Sequence, residues 1–167
     1  DEAILEEFVR EIEPIQKSIH DEVLARFGAL AIPPDALGRL VDPVARLAAS
    51  QSTSSPTAMP AACAVFVADH GIAHDDTVTP WPREVTRSVA ELAAQGRAAC
   101  SAIARSVGAD LAIIDVGIAT GPTPGGVIDQ RVRDGSDDLR TGDAISSDDV
   151  HAACEVGARI AGTMIDA

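Results

Sequence analysis

The sequence predicts an α/β fold: a parallel sheet flanked by helices, preceded by a helical amino-terminal arm. Three observations point there. Residues 61–68 and 111–119 are near-continuous apolar runs of strand length, the pattern of strands covered on both faces rather than the alternation of a half-exposed one. Between them Val85, Val89, Leu92, Ala99, Ile103 and Val107 recur at helical spacing. Strand, helix and strand then form one crossover unit, expected to be right-handed.

The arm comes first. From residue 2 to residue 27, Ile4, Leu5, Phe8, Val9, Ile12, Ile15, Ile19, Val23 and Leu24 fall at helical spacing. Pro14 lacks a backbone N–H and collides with a preceding helical turn, so it divides this stretch into two helices. Pro33-Pro34 is a break. Asp35 is then expected to cap a further amphipathic helix marked by Leu37, Leu40, Val41, Val44, Leu47 and Ala48. The polar loop Gln51-Ser-Thr-Ser-Ser-Pro-Thr57 separates residues 1–50, the arm, from residues 58–167, the α/β domain.

Within the domain, Pro82 suits the first turn of the crossover helix and Gly108 its exit. After the second strand, Thr120-Gly-Pro-Thr-Pro-Gly-Gly126 reads as a flexible loop, followed by one short strand within 127–132. A polar stretch with Arg131, Arg133, Asp134, Asp137, Asp138 and Arg140 continues the loop. Ser146-Ser-Asp-Asp149 has capping-box spacing and places acids at the positive end of a helix. That helix is expected to run through Val150, Cys154, Gly157, Ile160, Ala161 and Met164 to the end. Two or three parallel strands leave an edge uncovered, so the sheet is expected to be incomplete in this chain.

Composition narrows the functional classes. The 167 residues carry a formal charge of −13, which repels a phosphate backbone, and no basic run with interleaved aromatics offsets it. Nucleic acid is therefore an unsuitable partner. Aromatic residues make up 2% of the chain, so the single tryptophan, Trp81, stands out as a contact residue or a core one. No apolar run approaches the roughly 20 residues that cross a bilayer, and the acidic start lacks the features of a secretory signal, so a cytoplasmic setting is expected. Cys63, Cys100 and Cys154 are odd in number and embedded in small apolar residues, which suits buried thiols better than a disulfide framework.

The motif with most chemical content is Asp69-His70-Gly71, at the carboxyl end of the first strand, where open α/β sheets place ligands. A carboxylate beside an imidazole suits proton transfer. Equally, Asp69 can accept backbone N–H bonds at the strand end while His70 packs beneath a loop. His70 and His74, with Asp75 and Asp76, raise the question of a metal. Their spacing is a ligand signature only on a helix, and Gly71 argues against one, so no metal or cofactor is expected. The glycine-rich loop at 120–126 matches neither dinucleotide nor Walker patterns, and no Ser or Cys sits in a nucleophile elbow. Arg83 and Glu84 open a helix behind Trp81, whose first-turn N–H groups suit an anion or polar heterocycle, or simply water.

Five segments in order resemble one family. Leu37-Gly-Arg-Leu40 with Leu47-Ala-Ala-Ser-Gln51 is similar to "LGRLE … LA … Q", and Phe66-Val-Ala-Asp-His-Gly-Ile-Ala73 to "FAGDHGVA". Val78-Thr-Pro-Trp-Pro-Arg-Glu-Val-Thr86 resembles "VSAYPQEVT", and Ala109-Asp-Leu-Ala-Ile-Ile-Asp-Val-Gly-Ile-Ala119 resembles "GAELRVVDVGVA". Val132-Arg-Asp-Gly-Ser136 with Ala144-Ile-Ser resembles "VRRGT … PAMT". These are motifs of the amino-terminal half of the nicotinate-nucleotide:dimethylbenzimidazole phosphoribosyltransferases, which serve cobalamin biosynthesis.

The resemblance implies a Rossmann-like fold and transfer of phosphoribosyl from nicotinate mononucleotide to an aromatic base. It implies an aromatic-base pocket at Thr79, Trp81, Ser88, Asp69 and His70, with Thr79 and Trp81 falling on the Ser and Tyr of "SAYP". The family's catalytic Glu and phosphate-binding "GEMGIGNTT" lie in its other half, so no catalytic residue is assigned in this chain. The expected partners are the base, nicotinate mononucleotide, and either a second copy in a homodimer or a complementary carboxyl-terminal half. Departures stand at Ser88, where the family has Gln, at Arg97 and Ser101, and in the loops Gly135-Ser-Asp-Asp138 and Asp143-Ala-Ile145. They leave an alternative: a non-catalytic relative that binds a small heterocycle or assists assembly.

Overall fold

The computed structural model describes residues 6, 7, 9, 10, 12–33 and 35–165. The predicted contributions of Ile4, Leu5 and Phe8 to the arm fall outside them. The chain divides into two compact units, residues 11–60 and residues 61–167, with 1–10 grouped with the second.

The first unit is a helix pair. Helix α1 spans Lys17–Gly28, and a short 3₁₀ turn, Gly38–Leu40, leads into α2, Val41–Ser50. Val23 of α1 is buried against Ala45 and Ala48 of α2, and Ile19, Leu24 and Phe27 pack around them. Alanines at the contact let the two backbones approach closely. Ile12 and Ile15, in the Pro14 break, are half or more exposed, so the apolar periodicity there does not report a core face. Asp35 does not cap α2. It adopts a left-handed φ of 61° in the preceding turn, and the N-cap residue is Leu40, with no side-chain cap.

The second unit holds the sheet. Strand β1, Ala62–Ala68, runs parallel to β2, Asp110–Gly117, in a register that sets Ala62 against Asp110 and Phe66 against Ile114. The two-residue β3, Ile128–Asp129, lies on the other side of β2, also parallel. The order β1-β2-β3 makes β2 central, and Ile113, Ile114 and Asp115 within it, with Ile118 just beyond, are buried. Strand β1 is an edge, and Ala62, Cys63 and Phe66 on it are exposed. The sheet is open on this side, and its edge strand is apolar along its whole length rather than charged or interrupted.

The single crossover helix expected between the strands is two helices, α3 at Glu84–Ala94 and α4 at Ala99–Val107. Gly96, at φ 77°, makes the bend between them, and Gly108, at φ 71°, closes α4 as predicted. The buried face also differs. Ala90, Ala93, Ser101 and Ala104 are covered, whereas Val89, Leu92, Ile103 and Val107 stand out in solvent. Small residues allow the helices to lie close on the sheet, where Ala90 and Ala93 pack on Ile113 and Ile118. The large apolar residues occupy the opposite faces.

Helix α5, Ser147–Ile165, starts with a complete capping box. The Asp149 N–H donates to Ser146 Oγ at 3.1 Å, and the Ser146 N–H returns to Asp149 Oδ2 at 3.0 Å. Its buried residues are Val156 and Ala158 rather than Val150 and Cys154, which are exposed. The expectation of buried thiols fails for two of the three cysteines: Cys63 on β1 and Cys154 on α5 are exposed, with Cys100 half-buried. All three are free. Among the described residues, no helix is long and apolar enough to cross a membrane.

Candidate functional site

Parallel strands end together, so the loops leaving the carboxyl ends of β1, β2 and β3 meet on one side of the sheet. Asp69 is their junction. It is buried, its N–H donates to Gly117 O at 2.9 Å, and its Oδ2 accepts the Ala119 N–H at 2.8 Å. Its carbonyl accepts the Ser136 N–H at 3.0 Å. One residue thus ties the β1 loop to those following β2 and β3. Of the two readings open for Asp69, the geometry is that of the backbone acceptor.

His70 is exposed rather than packed beneath a loop, and its Nδ1 lies 3.4 Å from Ser136 Oγ. The same hydroxyl accepts the Gly71 N–H, also at 3.4 Å. Gly71 is required by contact, not by φ. A Cβ there would stand 2.4 Å from Asp137 C and 2.5 Å from Asp138 N, so only a glycine lets the 135–138 segment cross over this turn.

A second junction was not among the predicted site residues. Asp115, fully buried near the end of β2, accepts the N–H groups of Gly117 and Ile118 on Oδ1 at 3.0 and 2.8 Å. On Oδ2 it accepts the Thr123 hydroxyl at 2.7 Å and Arg131 Nη2 at 2.8 Å. Burial alone pushes this carboxyl up, but the Ile118 N–H, Arg131, Thr123 and the Gly117 N–H together hold it below its ordinary value. The sequence did carry a signal for it: a carboxylate inside an apolar strand run must find partners when buried. With Arg87 Nε on Pro122 O at 3.1 Å and Arg131 Nη1 on Gly121 O at 3.1 Å, the glycine-rich loop is held at three points. It is not the loose segment its composition suggested.

The segment from β1 to α3 carries the remaining predicted residues. A 3₁₀ turn at Gly71–His74 leads to Asp75, whose Oδ1 accepts both the N–H and the hydroxyl of Thr77, at 2.8 and 2.6 Å. Thr79 follows, half-buried, and its Oγ1 accepts the Trp81 N–H at 3.3 Å. Trp81 itself is 68% exposed and takes no part in the buried core of this unit. Ser88, one turn into α3, is exposed and donates to Glu84 O at 3.2 Å, a back-bond within its own helix. Thr79 and Trp81 are therefore neighbours, Asp69 and His70 belong to the crossing with 135–138, and the Ser88 hydroxyl turns to its own backbone.

His74 Nε2 lies 2.9 Å from Arg83 Nη1, and an arginine can only donate, so the histidine nitrogen there is an acceptor. Among the described residues, no group of three or more His, Cys, Asp or Glu is placed to hold a metal ion.

Comparison with known proteins agrees with this architecture. A family profile described as Phosphoribosyltransferase matches residues 12–167. A nicotinate-nucleotide:dimethylbenzimidazole phosphoribosyltransferase of Salinispora tropica is 35% identical, the match covering 83% of this chain and 42% of that protein. The enzyme of that name from Chromobacterium violaceum is 33% identical over 92% of this chain and 44% of its own. The crystal structure of the Thermus thermophilus enzyme superimposes with a TM-score of 0.76 at 29% identity, covering 91% of this chain and 46% of that one. The chain thus spans under half the length of the relatives it matches. With the match extending over the helix pair, the sheet and the strand-end loops alike, the chain belongs to the nicotinate-nucleotide:dimethylbenzimidazole phosphoribosyltransferase family.

Proposed function

We propose that this chain is the base-binding part of an enzyme that transfers phosphoribosyl from nicotinate mononucleotide to dimethylbenzimidazole or a related base. The observation that carries the reading is the pairing of Thr79 with an exposed Trp81 on the segment that leads from the carboxyl end of β1 to α3. A flat ring offers a stacking face to a benzimidazole. Because Thr79 Oγ1 already accepts a backbone N–H, its own proton is left to donate to an unprotonated ring nitrogen.

In such a transfer one ring nitrogen attacks the anomeric carbon, nicotinate departs, and the proton on the base must be taken up. Asp69 is occupied by backbone donors and His70 points its Nδ1 to Ser136, so neither is assigned that proton. The reading gives it to a companion: a carboxyl-terminal half or a further chain bringing the general base and the phosphate donors. The uncovered apolar edge of β1 supports a companion. A homodimer and a cytoplasmic setting belong to the same proposal.

Titration of the chain with dimethylbenzimidazole, a phenol and nicotinate mononucleotide tests it, using calorimetry and Trp81 fluorescence. Binding of the benzimidazole that weakens in Trp81→Ala and Thr79→Val is expected, as is nicotinate release once a family carboxyl-terminal half is added. The self-bonded Ser88, where the family has an amide, favours a second reading, a relative that binds a heterocycle without turnover. Binding with no nicotinate release from a folded pair selects it, and no binding of any of the three sinks both.

A further inference from the structure

The segment that presents Thr79 and Trp81 leaves the sheet after Ala68 and, beyond the 3₁₀ turn at Gly71–His74, has no regular structure until α3 begins at Glu84. Its first half is fastened by a loop more than sixty residues downstream. The crossing of Gly71 by the backbone of Asp137 and Asp138 is one fastening, already described. The other is Arg140. Its guanidinium donates to Asp138 through two nitrogens, Nε to Oδ1 at 3.0 Å and Nη2 to Oδ2 at 2.6 Å, and through Nη1 to Asp75 Oδ2. A planar fork with donors on two edges can bridge two carboxylates in this way; an ammonium offers no such fixed geometry.

Asp75 transmits that grip forward. With Oδ2 taken by Arg140, its Oδ1 closes the turn at Thr77, and its carbonyl accepts the N–H groups of Val78 at 2.9 Å and Thr79 at 3.4 Å. The Thr79 hydroxyl then receives the Trp81 N–H at 3.3 Å. A continuous chain of hydrogen bonds therefore runs from Arg140 through Asp75 to Thr79 and Trp81. Nothing on β1 itself makes these contacts.

We propose that Arg140 is a positioning residue that sets the Thr79–Trp81 wall through Asp75, held in place by Asp138. The proposal rests on the base-binding reading for its purpose, and on the hydrogen-bond chain for its existence. Exposed ion pairs contribute little to global stability, so its effect is local. Losing Arg140 frees the 75–81 turn while leaving the fold intact.

Trp81 is the only tryptophan and the chain has no tyrosine, so its fluorescence reports this turn without interference. The experiment compares the unaltered chain with Arg140→Gln, Arg140→Lys, Asp75→Asn and a distant control, Arg105→Gln. The readouts are Trp81 anisotropy, amide hydrogen exchange over 75–81, the unfolding midpoint, and affinity for dimethylbenzimidazole. Arg140→Gln and Asp75→Asn are expected to lower the anisotropy and speed the exchange with an unchanged midpoint, and to weaken the base roughly fivefold, the scale of one exposed pair. Arg140→Lys is expected to recover part of each, and Arg105→Gln to change none. Unchanged anisotropy and exchange in both Arg140→Gln and Asp75→Asn overturn the proposal. If the unaltered chain binds no benzimidazole, the base-binding reading fails, while anisotropy and exchange still decide whether Arg140 holds the turn.

Discussion

Arg131 Nη2 lies 2.8 Å from Asp115 Oδ2, joining a guanidinium that is partly exposed to a carboxylate that has no exposed surface at all. This pair anchors the loops after β2 and β3 to the end of the central strand. Arg131→Leu leaves the Asp115 charge buried with its strongest cationic partner gone, which costs about 3–5 kcal/mol for pairs of this kind. Urea denaturation at neutral pH measures it; a loss under about 1 kcal/mol, the net value of an ordinary hydrogen bond, contradicts the assignment.

The same pair predicts an acid response. In the folded chain the Asp115 carboxyl is held below its ordinary 3.8, so its contribution is present above that value and is lost as pH falls through the lower, folded value. Arg131→Leu removes part of what opposes burial and moves the carboxyl upward. Acid unfolding of the variant should begin at a higher pH than in the unaltered chain, and coincident acid limbs in the two proteins would refute this.

Two glycines in the same unit should respond oppositely to alanine. At Gly71 the added Cβ meets Asp137 C at 2.4 Å, so the crossing backbone must shift, at about 1–3 kcal/mol on the scale of overpacked sites. At Gly157, inside α5, nothing lies within 4 Å of an added Cβ. Gly157→Ala should therefore stabilise, by about 0.5–1 kcal/mol. Thermal unfolding of the two variants side by side checks the signs, and a Gly71→Ala protein as stable as the parent falsifies the crossing.

Loss of the capping box tests α5 separately. Ser146→Ala removes the acceptor of the Asp149 N–H and should cost about 1 kcal/mol, whereas Ser147→Ala, one residue inside the helix, should be near neutral. Equal effects from the two substitutions would place the cap elsewhere.

In the helix pair, His20 lies between two carboxylates, Nδ1 3.2 Å from Asp21 Oδ1 and Nε2 3.3 Å from Asp42 Oδ1. The hydrogen bonds to Asp21 and Asp42, and their charge, raise it above 6.5. Its contribution is therefore whole below the unfolded value and fades as pH rises through the higher folded value. NMR titration of the ring should show a midpoint above 6.5 that drops in Asp42→Asn; a midpoint at or below 6.5 in the unaltered chain contradicts the bridge.

Sequence alone determined what depends on neighbours along the chain and on a strand's need to be covered. The runs at 61–68 and 111–119 have the length and the continuous apolar composition of parallel strands, and they became β1 and β2, paired in parallel. The spacing of Ser146 and Asp149 carries its own cap, and Gly108 its own helix exit, because each needs only three or four residues. The ordered motifs also carried the family. Tertiary structure alone decided what depends on residues far apart in the chain. Helical periodicity marked Val89, Leu92, Ile103 and Val107 but could not tell which face meets the sheet, and close packing chose the small residues Ala90, Ala93, Ser101 and Ala104. Asp69 and His70 read as a pair because they are adjacent in sequence. In space the burial of Asp69 obliges it to bond with the backbones of residues 117, 119 and 136, and the grip on Thr79 and Trp81 comes from Arg140. Charges and N–H groups that lose water must find partners wherever the fold brings them, and for Asp69 and Asp75 those partners come from 48 to 67 positions away.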